Sequence, residues 1–339
     1  MSREPRAGEN PASGFTPLGE IVGQERALAH LRQTIARGTL AHALLFVGPP
    51  GVGKRTTAIA IAAALFCESQ SADACGRCPA CLQVAAGSHA DFRIEGFPLD
   101  DDNKPRERMV IEQVREVQRF FGGQAMGGGS KIAILEEAQA LTDEAQNALL
   151  KTLEEPPRGS LVILVCHNVS RLLPTVRSRC QRVTFLPLER AAIERILLER
   201  LGQSAEDARF LALHSDGSLV FAADPARLRD AHASAERLLA AAASGWYADI
   251  VAAVKSEIAG TRGVPLELEV VLALLRSRMR AAAGLEESGD LTPLGKTGNL
   301  AAALSATEAA YAALGDLRRN ANRSLAVERM ALRIADRRG

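Results

Sequence analysis

The most informative segment of the chain is Gly48-Pro49-Pro50-Gly51-Val52-Gly53-Lys54-Arg55-Thr56-Thr57. It follows the apolar run 43–47 and precedes an alanine-rich run that ends near Phe66. That order predicts a strand, a glycine loop and a helix. In such a loop, glycines let backbone N–H groups turn toward a phosphate, while the helix start and a lysine add positive charge. The segment therefore predicts a phosphate cradle, with a chance glycine-rich turn as the alternative. Its candidate residues are Gly48, Gly51, Gly53, Lys54 and Thr56.

The last position of this loop departs from the usual pattern. The sequence fits G-x-x-x-x-G-K-[ST] except that Arg55 replaces the hydroxyl residue that binds Mg²⁺. Thr56 does not simply take over, because the next residue along a helix is rotated by about 100°. We therefore predict a P-loop fold and leave open whether the loop hydrolyses ATP.

Composition excludes several classes of protein. A chain of 339 residues predicts two or three domains with real cores. A net charge of +1 gives no overall electrostatic footprint for nucleic acid or membrane. Residues 1–17 are rich in Pro, Gly, Ser and charges without an apolar run, which predicts a disordered tail and no signal peptide. The longest apolar run, 58–67, is too short to span a bilayer, so we expect a cytoplasmic protein without a membrane partner.

Four of the six cysteines crowd into residues 67–81. Two overlapping C-x-x-C units with a fourth cysteine nearby can place four thiolates around one tetrahedral Zn²⁺. With no open coordination position, such a zinc would be structural. A cluster of reduced thiols in a turn is the alternative. The candidate ligands are Cys67, Cys75, Cys78 and Cys81, whereas Cys166 and Cys180 are expected to be ordinary buried residues.

A second phosphate-site candidate follows the apolar run 131–135. Nucleotide hydrolases place one carboxylate for the Mg²⁺ shell and another to polarise water at the end of such a strand. Glu136 and Glu137 stand at this position. Two acids after a strand are common by chance, so the pattern gains weight only from its distance after the glycine loop.

Two further motifs carry a family resemblance. Residues 147–157 read N-A-L-L-K-T-L-E-E-P-P and residues 178–180 read S-R-C. Together with the glycine loop and the four cysteines, over about residues 18–230, the chain resembles the bacterial sliding-clamp loader, a branch of the AAA+ ATPases. The resemblance implies an α/β P-loop AAA+ core with a parallel sheet over 18–186, with a four-cysteine zinc module inserted at 67–81.

Beyond residue 187 the composition shifts to helix formers with helical spacing of apolar residues. Residues 187–228 resemble the small helical lid that follows an AAA+ core. Residues 229–339 predict an all-helical C-terminal domain. By the same resemblance, this domain is the collar through which loader subunits oligomerise.

Four departures from the family pattern bear on hydrolysis. Glu136 stands where the family's ATPase subunit has an Asp, 166–167 where it has threonines, and Val220 where a G-S-L-R motif has its arginine. With Arg55, these changes remove metal anchoring and charge stabilisation from one site. They favour the loader's non-hydrolysing subunit, with little or no ATPase activity of its own. An active ATPase subunit that tolerates Arg55, of the gamma/tau type, is the alternative.

Arg179 is the remaining candidate for chemistry. The resemblance implies that this arginine of the S-R-C motif acts as an arginine finger in trans, at the nucleotide of a neighbouring ATPase subunit. A forked, permanently charged guanidinium suits that task. The alternative is a surface arginine in a local ion pair.

The resemblance also implies the partners. A loader subunit assembles with the ATPase and delta subunits within the DNA polymerase III holoenzyme, a DNA-directed DNA polymerase. Through that complex it acts on the sliding clamp and primer-template DNA during replication. The implied cofactors are a structural Zn²⁺ and ATP or ADP at the loop. A zinc-dependent nucleic-acid-binding module is a poorer alternative, because the cysteine cluster is short and the charge is balanced.

Overall fold

The protein forms two compact units. The computed structural model describes residues 16–69, 72–97, 108–126, 129–220, 225–258, 266–284, 300–317 and 321–335. The first unit comprises Met1–Gly202 and Gly217–Val220, and the second comprises Gln203–Asp216 and Phe221–Gly339. All but the last two residues of the predicted tail, 1–17, lie outside the described residues. The helical lid predicted for 187–228 stays a prediction.

A parallel sheet forms the centre of the first unit. Its strand order is β2-β3-β4-β1-β5, and every adjacent pair is parallel. All seven side chains of β4 are buried, as expected for a central strand covered on both faces. The strands are β1 Ala43–Val47, β2 Phe92–Glu95, β3 Lys131–Leu135, β4 Ser160–Cys166 and β5 Gln181–Thr184.

Helices cover this sheet, which confirms the predicted α/β P-loop core with a parallel sheet. Val114 and Val117 of α4 pack with Leu149 of α5 in a core that includes Leu135 and Leu164 of the sheet. Because α2 is rich in alanine and almost wholly buried, it can lie close to its neighbours. The helices are α1 Glu25–Ala36, α2 Lys54–Phe66, α3 Pro79–Ala85, α4 Ile111–Gly122, α5 Asp143–Glu154, α6 Pro174–Arg177 and α7 Arg190–Glu199.

The described part of the second unit is built from helices, which confirms the predicted all-α C-terminal region. Helix α9 packs against α10, α11 and α13, and α12 packs against α11 and α13. No helix among the described residues is both long enough and apolar enough to span a bilayer. The helices are α8 Ala205–His214, α9 Pro225–Ser244, α10 Tyr247–Ile258, α11 Leu266–Ala282, α12 Leu300–Leu317 and α13 Arg323–Ala335.

Helix α5 offers a direct test of the fold, because Thr142 caps its first turn. The Thr142 hydroxyl accepts a hydrogen bond from the Ala145 backbone N–H at 3.3 Å. We expect Thr142→Ala to lower the free energy of unfolding by about 1 kcal/mol, since an unsatisfied helix donor replaces the cap. Urea denaturation measures this. Thr142→Ser keeps the hydroxyl and should stay near the wild type; equal losses in both variants would contradict the capping role.

Candidate functional site

The glycine loop has the tight geometry that its sequence predicts. It connects β1 to α2, so it lies at the carboxyl edge of the sheet. Gly51 and Gly53 have φ angles of 68° and 94°, in the left-handed region that glycine adopts without strain. At Gly48, a side chain would overlap the carbonyl oxygen of Phe185. The backbone conformation therefore favours glycine at positions 51 and 53, and the close approach of Phe185 favours it at position 48.

Lys54 is folded back onto this loop. Its side chain is buried, with the residue 6% exposed. Its ammonium donates hydrogen bonds to the carbonyl oxygens of Gly48, at 2.7 Å, and of Pro49. Burial lowers the pKa of Lys54 to about 8, and the nearby Glu137 carboxylate partly opposes that shift. The loop thus presents a buried cation held by neutral groups.

Arg55 and Glu136 form an ion pair. The Arg55 Nε donates to Oε1 of Glu136, whose side chain is 12% exposed. Arg55 lies in the first turn of α2, and Glu136 directly follows β3. The two positions at which the family resemblance places magnesium ligands are therefore bound to each other.

Glu137 is also held by neighbouring side chains. Its carboxylate accepts a hydrogen bond from the Gln139 amide and lies 3.1 Å from Nδ1 of His167. The His167 hydrogen bond, with a smaller contribution from Gln139, holds the pKa of Glu137 below its usual range, although burial opposes this. His167 follows the buried Cys166 at the end of β4, where burial raises the pKa of the Cys166 thiol. Glu137 is thus an ionised carboxylate within a hydrogen-bonded cluster.

Residues 217–220 pack on the tip of the glycine loop. The Ser218 hydroxyl donates to the carbonyl oxygen of Pro50 at 2.9 Å, and the Leu219 N–H donates to that of Gly51 at 2.9 Å. A Cβ atom on Gly51 would lie 2.5 Å from the Ser218 oxygen. Val220, at the position of the expected sensor arginine, has an exposed apolar side chain. This segment therefore contacts the loop through a hydroxyl and the backbone and brings no cation to it.

Arg179 lies at the amino ends of the strands, opposite the carboxyl ends where the glycine loop lies. Gln181, two residues further on, pairs in register with Leu44, four residues before the glycine loop begins. At about 3.3 Å per strand residue, Arg179 is roughly 15–20 Å from Gly48 along the strand direction. The loop follows the carboxyl end of β1, whereas Arg179 precedes the amino end of β5. Arg179 and the chain's own loop therefore do not belong to one site.

The Arg179 guanidinium is ordered by two contacts. It donates to the carbonyl oxygen of Thr175 at 3.0 Å and forms an ion pair with Glu154 at 2.5 Å. The Arg179 side chain is 36% exposed, so the ion pair is partly solvated and of modest strength. The local ion pair that sequence left as the alternative thus exists, and the exposure leaves the arginine accessible.

The four clustered cysteines converge. The sulfur atoms of Cys67, Cys75, Cys78 and Cys81 all lie within 4.8 Å of one another. Tetrahedral Zn–S bonds of about 2.3 Å would require sulfurs roughly 3.8 Å apart, so the set fits a zinc ion after slight contraction. Burial raises the pKa of Cys67, but hydrogen bonds with Ser69 and Cys75 outweigh it and lower that pKa to about 6. These residues could hold a structural metal between α2 and α3.

Comparison with known proteins places the chain in a family. A family model described as DNA polymerase III, delta subunit matches residues 23–189. A DNA polymerase III subunit delta' from Pseudomonas aeruginosa is 40% identical over 203 residues, 59% of this chain and 60% of that protein. The subunit delta' of Escherichia coli is 33% identical over 285 residues, 81% of this chain and 80% of that protein. This chain belongs to the DNA polymerase III delta' family.

The chain is also similar to a DNA polymerase III subunit outside the delta' family. A DNA polymerase III subunit gamma/tau from Mycobacterium tuberculosis is 32% identical over 237 residues, 67% of this chain and 38% of that protein. The chain matches less than two thirds of the length of the Pseudomonas delta' relative. Membership of the delta' family therefore rests on the longer match to the Escherichia coli protein.

In this delta' family member, the predicted site residues form three separate groups. Gly48, Gly51, Gly53 and Lys54 form the loop, with Glu136 and Glu137 beside it. Thr56 is exposed on α2, whereas the neighbouring Thr57 is buried and donates to the carbonyl oxygen of Gly53. The cysteine cluster and Arg179 form the other two groups. Cys166 is buried as expected, and Cys180 is only partly so.

Some contacts of the delta' chain were missed at the level of sequence. Sequence identifies Arg55 and Glu136 only as separate departures from the family pattern, although their opposite charges are a signal that they pair. The contact of Ser218 with the loop and the ion pair of Arg179 with Glu154 had no such signal, because each joins distant segments.

Proposed function

We propose that this chain is a non-hydrolysing, or weakly hydrolysing, subunit of the clamp loader of DNA polymerase III, and that it supplies Arg179 to the ATP site of a neighbouring ATPase subunit. The observation that carries the proposal is the position of Arg179. It lies at the amino ends of the strands, whereas the chain's own loop lies at their carboxyl ends. A nucleotide within reach of Arg179 is therefore one bound by another subunit. An arginine supplied in this way stabilises the charge that develops as the phosphoryl group is transferred.

The glycine loop of this chain also supports the proposal, because its residues are poorly suited to hydrolysis. Hydrolysis needs a magnesium ion to bridge the phosphates and a carboxylate to orient water. Here Arg55 occupies the hydroxyl position and binds Glu136, while Glu137 is hydrogen-bonded to His167 and Gln139. The loop remains a cradle for the phosphates of ATP or ADP with little turnover of its own.

The C-terminal helices are proposed to join this chain to its partners. Leu300, Leu304 and Tyr311 are exposed on α12, and spacings of four and seven residues put them on one helix face. An exposed apolar stripe of this kind fits an oligomer interface. The proposed partners are the loader's ATPase and delta subunits and, through the complex, the sliding clamp and primer-template DNA. The chain would work in the cytoplasm, as part of a DNA-directed DNA polymerase holoenzyme.

We further propose that Cys67, Cys75, Cys78 and Cys81 bind a structural Zn²⁺. The donor set supports zinc, since four thiolates are a common closed zinc site. When bound, the ion would cross-link the end of α2 to the start of α3. The cysteines would then stabilise the helix that begins at the glycine loop and take no part in chemistry.

A second candidate function is that of an active, gamma/tau-like ATPase subunit. The intact Gly48, Gly53 and Lys54 favour it, as does the similarity to a gamma/tau subunit. In that case Glu136 would serve as a metal ligand only after release from Arg55.

The experiment that separates the two functions compares ATP turnover by the purified chain with turnover by the reconstituted loader. We expect little turnover by the chain alone, and a rise in the loader's turnover when the chain is added to the other subunits. Vigorous turnover by the isolated chain, abolished by Lys54→Ala, would overturn the proposal in favour of the active ATPase.

A further inference from the structure

The magnesium site is where this chain departs furthest from a working P-loop. Mg²⁺ demands near-octahedral oxygen ligands and is usually bound by one or two protein oxygens together with substrate phosphates and water. The loop offers a guanidinium at position 55, and Glu136 is bound by that guanidinium. Glu137 is held by Gln139 and His167. The residues present therefore do not fit Mg²⁺.

The Arg55–Glu136 ion pair resists opening. The Glu136 side chain is only 12% exposed, so opening the ion pair would separate two charges where little solvent reaches the carboxylate, which is costly. Guanidinium groups carry a permanent positive charge in proteins. A divalent cation approaching Glu136 would meet this fixed positive charge. The ion pair thus excludes the metal by occupying its carboxylate and by repulsion.

The Lys54 ammonium, in contrast, has neutral hydrogen-bond acceptors, and the nearby Glu137 carboxylate acts on it only from beyond ion-pair distance. The two acceptors are the carbonyl oxygens of Gly48 and Pro49. In the part of the chain that the structure describes, no carboxylate lies within ion-pair distance of the Lys54 ammonium. A buried ammonium whose hydrogen-bond acceptors are all neutral is costly, and an anion bound directly to it at the loop would recover part of that cost. The loop is therefore suited to an anion although it is unsuited to a metal.

We infer that the glycine loop binds a diphosphate group, from a nucleoside diphosphate or from pyrophosphate, without Mg²⁺, and that the Arg55–Glu136 ion pair stands in place of the metal and its ligands. A diphosphate suits the loop better than a triphosphate. Without Mg²⁺, each added phosphate brings negative charge that only Lys54 and the loop N–H groups offset. This inference rests on the proposed phosphate cradle and adds its ligand class and its independence from metal.

Calorimetric titration of the purified full chain tests the inference. ADP is titrated once in EDTA and once in excess Mg²⁺, and we expect the affinity in EDTA to be higher or equal within about threefold. An affinity in EDTA that is lower by more than this overturns metal independence while the cradle stands. Absence of ADP binding in both buffers overturns the cradle as well, whereas the proposed role of Arg179 is tested separately. Pyrophosphate in EDTA should also bind, and a chain that binds ADP but not pyrophosphate would overturn recognition of the diphosphate group itself.

Two variants assign the behaviour to these side chains. Arg55→Thr combined with Glu136→Asp restores oxygen ligands, so we expect ADP to bind it about tenfold more tightly with Mg²⁺ than in EDTA. Lys54→Ala should lose ADP binding in both buffers, with an unchanged circular dichroism spectrum. A double variant that is indifferent to Mg²⁺, or a Lys54→Ala chain that still binds ADP, would refute the assignment.

Discussion

Arg179→Ala is expected to lower the rate of ATP hydrolysis about 10³-fold at the site that Arg179 completes in the reconstituted loader. The reason is loss of the guanidinium that offsets developing charge on the transferred phosphoryl group. The clearest measurement uses a loader in which only the ATPase subunit adjacent to this chain retains its own loop lysine. The hydrolysis rate then reports one site.

Three controls make this experiment specific. Arg179→Lys keeps the charge but loses the planar fork, so we expect it to remain far below wild type. Glu154→Gln removes the ion pair at 2.5 Å while leaving Arg179 in place, and should preserve hydrolysis. Gel filtration should show that all variants assemble. Wild-type hydrolysis in a correctly assembled Arg179→Ala loader would exclude the finger.

Disruption of the proposed zinc site is expected to have the second large effect. Protein purified without chelator should contain about one zinc per chain. Cys78→Ser should lose that zinc and lower the free energy of unfolding by at least about 3 kcal/mol, a drop in melting temperature of roughly 10 °C. The reason is that the metal binds only the folded arrangement of the four sulfurs, so its binding free energy contributes to folding.

Metal analysis with thermal melts provides the measurement and its control. Cys180→Ala removes a cysteine outside the cluster and should leave the zinc content unchanged, although a small cavity lowers stability. A chain that is fully folded and free of metal, with a melting temperature insensitive to chelator, would rule out the structural zinc.

The sequence predicts the local parts of this fold well. The strand, glycine loop and helix around Lys54 follow from apolar runs and glycine positions, which are short-range signals. Arg55 and Glu136 are each visible as departures, yet their pairing joins residues 81 positions apart. The bond from Ser218 to the loop joins residues 168 apart. Such contacts depend on how distant segments come together in the fold, which periodicity along the chain does not encode.

The position of Arg179 illustrates the same limit. Its motif marks it as notable, but only the register of β5 against β1 places it at the far edge from Gly48. Glu154 ends α5, and its carboxylate reaches Arg179 because that helix runs back along the sheet to the strands' amino ends. Sequence thus singles out Arg179, while the sheet shows at which end of the strands it lies.

The placement of Arg179 and the glycine loop at opposite ends of the strands has a consequence for symmetry. All strands of a parallel sheet point the same way. Here the glycine loop lies at their carboxyl ends and Arg179 at their amino ends. A two-fold symmetric pair buries the same patch on both copies, so it could join arginine to loop only if one patch contained both. An arginine that serves a neighbour's loop instead requires a head-to-tail contact, in which each interface has a donor and an acceptor side. Any assembly built on this contact has a handed order of subunits, and a member with a silent loop can still supply the next site in that order.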